Sequence, residues 1–376
     1  MIGNITKVEV RYRDILAGIL QTDPYTGACT FQYHKAWLAS GFSLSPTELP
    51  LKEELFHASP DLFGGNFAIF EDSLPDGYGL YLLNRMLKEQ GSSLKVLTPL
   101  QRLSIIGRSG MGALSYLPVM PGFGRQKELT DEEKLDFLQE EALRVLGEKE
   151  SADASLLYYN SANSGGARPK SAMRSKDGSH WLVKFRHTYD PADAGKMELL
   201  YMKTAREAGI TIPRIGLLRD KYFAIERFDI DRDGRRFHVA SAAALLKTDF
   251  RNQDVDYTNL LALTGYLTQD PLQVEQMFRR MVFNLVALNK DDHAKNFTFL
   301  CDEGVWRLAP AYDLTYSPQG SNGEHATSLY YNGNPQLDLV LKAGTGIRIP
   351  RTRCMEIVQE VQQICQSALP TVNPLL

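Results

Sequence analysis

Between positions 291 and 313 the chain reads Asp291-Asp292-His293-Ala294-Lys295-Asn296, then two short strand-like runs around a turn, then Ala311-Tyr312-Asp313. The runs Phe297-Thr298-Phe299-Leu300 and Val305-Trp306-Arg307-Leu308 flank Asp302-Glu303-Gly304, a good hairpin signal. A hairpin returns the chain to its starting point, so Asp313 is expected to face Asp291 and Asn296. Upstream, Phe278, Met281, Val282, Leu285 and Val286 follow an i, i+3, i+4, i+7, i+8 stripe, which predicts a helix anchored in the core. The loop therefore starts from a rigid support.

This arrangement suits phosphoryl transfer, which needs a positioned acceptor hydroxyl and neutralised phosphate charge. Asp291 would orient and deprotonate the hydroxyl, while Asn296 and Asp313 supply the hard oxygen atoms that magnesium prefers. His293 is placed on the nucleotide side of the loop, orienting it by hydrogen bonding. Two other readings use the same residues. In one, Asp-Asp-His is a polar turn and Asn296 a cap; in the other, Asp291, Asp292 and His293 are ligands in a metal-dependent hydrolase.

Lys184 alternates with Trp181, Val183 and Phe185 along a predicted strand, so it projects from the opposite face. It could contact nucleotide phosphates, with Glu198 as its partner on a helix predicted from Ala192 to Ala208. That helix would start at Asp190-Pro191, a cap and first-turn pair, and stop at Gly209. Between two predicted strands lies Ser161-Ala162-Asn163-Ser164-Gly165-Gly166-Ala167-Arg168-Pro169-Lys170, where a phosphate-covering loop belongs. Gly165 and Gly166 permit close backbone approach at Ala167, and Arg168 or Lys170 could add charge; a surface turn has the same composition. Ala224-Ile225-Glu226-Arg227-Phe228 ends a strand before the turn Asp229 to Gly234, where a hinge would offer backbone groups to adenine. A second glycine cluster, Gly107, Gly110 and Gly112, lacks the spacing of a dinucleotide fingerprint.

With 376 residues, 43% hydrophobic and 23% charged, the chain has material for a sizeable core. A formal charge of −3 gives no broad basic field, so strong direct binding to nucleic acid is not expected, although a DNA-bound partner is compatible. Cys29, Cys301, Cys354 and Cys365 are scattered and form no Cys-x-x-Cys pair, which fits a reducing compartment. No basic segment followed by an apolar run opens the chain and no stretch is long enough to cross a bilayer; a cytoplasmic location is expected.

Four segments follow. Residues 1–125 predict a β-rich subdomain, with a helix opening at Asp76-Gly77-Tyr78-Gly79 through Leu80, Leu83 and Met86. Residues 126–150 predict a helical connector with Leu135, Phe137, Leu138 and Leu143 in its stripe. Residues 151–230 predict a strand-rich lobe, with strands at Leu156-Leu157-Tyr158-Tyr159, Ser171-Ala172-Met173 and Trp181 to Phe185, and with the glycine-rich loop and hinge. Residues 231–376 predict a mostly helical lobe that includes a core stripe at Ile357, Val358, Val361, Ile364 and Leu369. That order, α+β in class, predicts a protein-kinase-like fold of two lobes with nucleotide between them.

These residues together resemble the HipA family of toxin serine/threonine kinases from bacterial toxin-antitoxin systems. Asp72-Ser73-Leu74-Pro75-Asp76-Gly77 and the run Gly107 to Tyr116 look like the family's N-terminal signatures. Gly165 to Lys170, Glu226-Arg227-Phe228-Asp229, Asp291 to Asn296 and Ala311-Tyr312-Asp313 match its C-terminal motifs in order. The resemblance implies an N-terminal HipA-type subdomain, Asp291 as base, Asn296 and Asp313 as Mg²⁺ ligands, Lys184 as the phosphate-binding lysine, and the Glu226 to Phe228 backbone as adenine hinge. It also implies ATP-dependent phosphorylation of protein serines, an aminoacyl-tRNA synthetase being one candidate acceptor, with growth arrest and persistence as the outcome. Neutralisation would come from a helix-turn-helix antitoxin, HipB, through which the toxin reaches DNA. Family members phosphorylate a serine of their own glycine-rich loop and so eject it. Here Asn163 stands at that position, which moves the expectation to Ser164, then Ser161. A small-molecule kinase with the same site, and a catalytically idle corepressor on an antitoxin, are the competing functions.

Overall fold

The computed structural model describes residues 5–125, 127–147, 153–161, 165–251, 255–320 and 322–376. The chain forms two compact units: Met1–Gly195 with Gly216–Ala240 and Asp302–Gly304, and Lys196–Ile215 with Ser241–Cys301 and Val305–Leu376. Strands dominate the first and helices the second, the α+β order that the sequence predicts.

In the first unit a five-stranded sheet runs in the order Leu55–His57, Cys29–Tyr33, Ile15–Thr22, Lys7–Tyr12, Leu114–Leu117. Along Lys7–Tyr12 the alternation buries Val8, Val10 and Tyr12 and turns their neighbours outward, as a half-covered antiparallel strand requires. A four-stranded sheet runs Lys170–Arg174, His180–Lys184, Tyr222–Glu226, Ile215–Leu218. Helix Gly77–Glu89 buries Leu82, Leu83, Met86 and Leu87 in one cluster with Leu135, Leu138 and Ala142 of helix Lys134–Leu146 and with Val183, Phe185, Tyr222 and Ala224. Each such side chain contributes about 1.5–3 kcal/mol by leaving water. A single core therefore joins the signature-bearing helix to the second sheet.

Three local expectations fail here. Leu156 to Tyr159 is not a strand but part of helix Ala154–Asn160, because the Asp153 carboxylate accepts the Leu156 N–H and caps it. Four consecutive apolar residues have no period of their own, so the cap decides. Phe137 is exposed; the buried stripe of its helix runs through Leu135, Leu138, Ala142 and Val145 instead. Asp190 does not cap helix Ala194–Glu207, since its carboxylate holds Arg168 and the His187 N–H.

In the second unit, helix Tyr257–Thr268 opens on a capping box of Asp256 and Asn259, and helix Pro271–Val286 on Asp270 followed by proline. Phe278, Met281, Val282, Leu285 and Val286 are all buried, as the stripe predicts. Helix Arg351–Ala368 buries Ile357, Val358, Val361 and Cys365, so its apolar face is core. Gly344 of helix Leu337–Gly346 packs so tightly that a Cβ there would run into Cys354 Sγ and the Phe278 ring. All four cysteines are buried thiols. Among the described residues no helix is long and apolar enough to cross a membrane.

Candidate active site

The catalytic-type loop leaves the helix at Val286 and passes through Leu288, whose positive φ of 55° breaks the helical path. Asp291 and Asp292 then diverge. The Asp291 side chain is 61% exposed. Asp292 is fully buried: its carboxylate accepts the Tyr257 hydroxyl at 2.5 Å, stands 2.9 Å from His325 Nδ1 and accepts the Thr327 N–H at 3.3 Å. Asn284 Nδ2 donates to the Tyr257 oxygen at 2.9 Å, and Asn289 Nδ2 to Asn284 Oδ1 at 2.9 Å, which extends the network under the loop. A buried carboxylate is tolerable only when it is hydrogen-bonded in this way.

These contacts do not fit the hydrolase reading, which would turn both acids toward one ion. Asp291 faces solvent while Asp292 faces the core, and among the described residues no group of three or more His, Cys, Asp or Glu side chains is assembled for a metal. His293 does not orient the loop as expected either. Its Nε2 lies 3.8 Å from Asp291 Oδ1, beyond hydrogen-bond reach, and its Nδ1 is buried with no hydrogen-bond partner. The loop is oriented from below by His325, which the sequence reading missed.

Asn296 closes the one-turn 3₁₀ segment Ala294–Asn296, and its Nδ2 donates to the Asp291 carbonyl at 2.7 Å. A carbonyl demands the N–H side of the amide, so Oδ1 is turned the other way and is the atom able to meet a cation. Strands Thr298–Asp302 and Val305–Leu308 form the expected hairpin, turning through Glu303 and Gly304 at φ 51° and 90°. It returns the chain to the loop at two places. The Tyr312 hydroxyl donates to the Lys295 carbonyl at 2.6 Å and lies 2.6 Å from Thr298 Oγ1. On the other side of Asp313, the Ser317 N–H donates to the Leu288 carbonyl and the Lys290 N–H to the Ser317 carbonyl, each at 3.1 Å. Asp313 thus lies on a short span tied at both ends to the Asp291 loop. Its φ of 54° is left-handed, a conformation that a non-glycine residue adopts at a cost of about 1–2 kcal/mol. One carboxylate and one amide oxygen form a donor set that fits Mg²⁺, which takes few protein ligands and completes its shell with phosphate and water.

The residues expected to meet phosphate, Gly165 to Lys170 and Lys184, lie in the first unit. Lys170 and Lys184 are directly opposed across strands Lys170–Arg174 and His180–Lys184. Residues directly opposite in an antiparallel pair present their side chains on the same face of the sheet. Lys170 Nζ donates to the Gly165 carbonyl, and Lys184 Nζ lies 5.7 Å from the Phe223 ring centre. Arg168 is committed to a bidentate pair with Asp190, at 2.9 and 3.1 Å. Burial pushes the Asp190 carboxyl up, but the Arg168 hydrogen bond and the His187 N–H outweigh it and hold it below the usual carboxylate range. Arg168 is therefore a brace for the loop's exit rather than a mobile charge. Gly165, Gly166 and Ala167 are exposed.

The segment expected to act as a hinge is supported from inside. Glu226 ends strand Tyr222–Glu226 opposite Trp181, and the Arg227 N–H donates to the His180 carbonyl at 2.8 Å. The Arg227 guanidinium and Asp229 carboxylate form a fully buried bidentate pair at 2.9 and 2.6 Å, and Asp229 also accepts the Gly112 N–H at 2.7 Å. The glycine turn at Gly112, whose spacing is not that of a dinucleotide fingerprint, thus braces the segment after Glu226. Phe228 is half-buried. Glu198 is buried on helix Ala194–Glu207; it falls in the second unit and Lys184 in the first. Ser161 is buried and its hydroxyl donates to the Tyr158 carbonyl at 2.8 Å, while Ser164 and Asn163 lie outside the described residues.

Known proteins resemble this chain along most of its length. The family described as HipA-like C-terminal domain matches residues 162–369, and that described as HipA N-terminal domain matches residues 8–117. The chain belongs to the HipA family. It is 24% identical over 344 residues to the serine/threonine-protein kinase toxin HipA of Shewanella oneidensis, covering 82% of this chain and 74% of that protein. A putative kinase of Sinorhizobium fredii is 25% identical over 183 residues, 44% of each chain. A chain from the Shewanella oneidensis complex of HipA, HipB and operator DNA has the same fold, with a TM-score of 0.69 at 21% identity, covering 97% of this chain and 92% of that one.

Proposed function

We propose that this chain is an ATP- and Mg²⁺-dependent serine/threonine protein kinase, the toxin of a HipA/HipB-type toxin-antitoxin system. The observation that carries the reading is the span around Asp313, tied to Lys295 on one side and to Leu288 and Lys290 on the other. Those ties support Asn296 and Asp313 as the two Mg²⁺ ligands, beside a solvent-facing Asp291.

In this reading Asp291 accepts the proton of a serine hydroxyl as the serine oxygen bonds to the γ-phosphorus and the bond to the ADP oxygen breaks. General-base assistance of this kind is worth about 10²–10⁴ in rate. Held by Asn296 and Asp313, a magnesium ion would neutralise phosphate charge there. Lys184, with Lys170 opposite it, meets phosphate charge, and the Glu226 to Phe228 backbone meets adenine. A HipB-like helix-turn-helix antitoxin would bind the chain and bring it to DNA, consistent with the formal charge of −3. The acceptor is a serine of a cellular protein, and growth arrest follows from its modification.

The test is transfer of label from γ-labelled ATP by the purified, antitoxin-free protein to a cell lysate. Serine labelling of a discrete protein, dependent on Mg²⁺ and lost in Asp291→Ala, is expected. Absence of any protein labelling by the folded wild type overturns the reading.

A further inference from the structure

Asp76 occupies the N-cap position of helix Gly77–Glu89, yet its side chain makes no capping hydrogen bond to that helix. An aspartate at an N-cap ordinarily accepts an N–H from its own first turn. Here the carboxylate, 6% exposed, instead accepts the N–H of Gly166 in the glycine-rich loop, at 2.6 Å and ninety positions away. The neighbouring residues complete the grip. The Tyr78 N–H donates to the Gly166 carbonyl at 3.0 Å, so both backbone groups of Gly166 are bound by one helix start. Gly77 adopts φ 44° and touches Gly166 so closely that a Cβ would overlap its carbonyl. At Gly165 a Cβ would stand 2.9 Å from the Asp76 carboxylate.

We infer that Asp76, with Gly77 and Tyr78, is a positioning residue of the nucleotide site: the N-terminal domain holds the glycine-rich loop in the form that receives the phosphates and so sets nucleotide affinity. Glycine segments lose more conformational freedom on ordering than any other residue type. A loop ordered in advance spares the ligand that loss, and a released one imposes it on binding. The helix forgoes its own cap, and the loop gains an anchor that no side chain of its own could provide. The inference rests on the reading of residues 165–170 as the phosphate-covering loop.

The deciding variant is Asp76→Ser, since serine can cap its own helix but is too short to reach Gly166. Dissociation constants for Mg²⁺ with a non-hydrolysable ATP analogue are measured by calorimetry alongside thermal melting, and loop amide exchange is followed without nucleotide. Asp76→Ser should weaken the analogue about tenfold with an unchanged melting temperature and faster exchange across residues 165–168. Asp76→Asn, whose Oδ1 still accepts the Gly166 N–H, should bind within about twofold of wild type. Gly77→Ala, if folded, should behave as Asp76→Ser does. Unchanged affinity in Asp76→Ser, with or without faster exchange, overturns the inference. Tighter binding by Asp76→Asn does so too, because it would make the carboxylate a competitor of phosphate. A wild type that binds no nucleotide defeats the kinase reading, and unchanged loop exchange in Asp76→Ser then defeats the anchor as well.

Discussion

The Tyr257 hydroxyl donates to the Asp292 carboxylate at 2.5 Å, and this contact sets the two adjacent acids of the loop apart, one a buried anchor and the other turned to solvent. Asp292 is committed to the core, where His325 and Thr327 also hold it. Asp291 is left facing outward.

The two acids should therefore fail differently. Asp292→Ala removes a buried charged hydrogen-bond hub and is expected to cost about 2–4 kcal/mol in chemical denaturation. Asp291→Ala should melt with the wild type while phosphotransfer falls by about 10²-fold or more. Equal stability of the two variants would contradict the division of roles.

Asp313→Asn keeps a side chain that tolerates the left-handed φ of 54°, so its stability should match the wild type. It removes the only carboxylate of the proposed magnesium pair. Calorimetry should show that Mg²⁺ no longer strengthens ATP binding, and phosphotransfer should drop by about 10²–10³. Magnesium-dependent affinity that survived in this variant would refute the ligand assignment.

Tyr312→Phe deletes the hydroxyl that ties the returning strand to the Lys295 carbonyl. The loss of one neutral hydrogen bond costs about 1 kcal/mol of stability. Turnover should suffer more than that, by about tenfold or more, because misplacement by an ångström is heavily penalised in transfer reactions. A variant with full turnover would show that the Tyr312 tie is not what positions Asp313.

His238 is fully buried, with Nε2 2.7 Å from the Leu44 carbonyl. Burial pulls its pKa down to about 4, and the Leu44 hydrogen bond opposes that only in part. An unfolded histidine titrates near ~6.5, so the stabilising contribution is fully present above that pH and is lost as pH falls toward 4. The whole shift, to about 4, corresponds to about 3 kcal/mol. Urea midpoints at pH 7.5 and 5 should differ more for the wild type than for His238→Gln. Parallel pH dependence in the two proteins would remove His238 as the cause.

Local pattern was legible wherever one element explains itself. The stripe from Phe278 to Val286 gave the buried helix, and Asp302-Glu303-Gly304 gave the turn that folds Asp313 back toward Asp291. The short run Leu156 to Tyr159 had no such signal, and a single cap at Asp153 made it a helix. Asp190 looked like a cap by position, but Arg168 claimed its carboxylate.

What the sequence alone determined was the periodic elements around the Asp291 loop and the order of the chemical groups, because helix stripes, hairpin turns and motif spacings are properties of neighbouring residues. Which partner each polar group chose was left to the tertiary structure. Asp292 met His325 thirty-three positions later and Asp76 met Gly166 ninety positions later, contacts for which the local alternatives were a solvated turn and an ordinary cap. A carboxylate accepts from any nearby donor with similar energy, so only the packing that brings distant donors close, and removes water from around them, selects one.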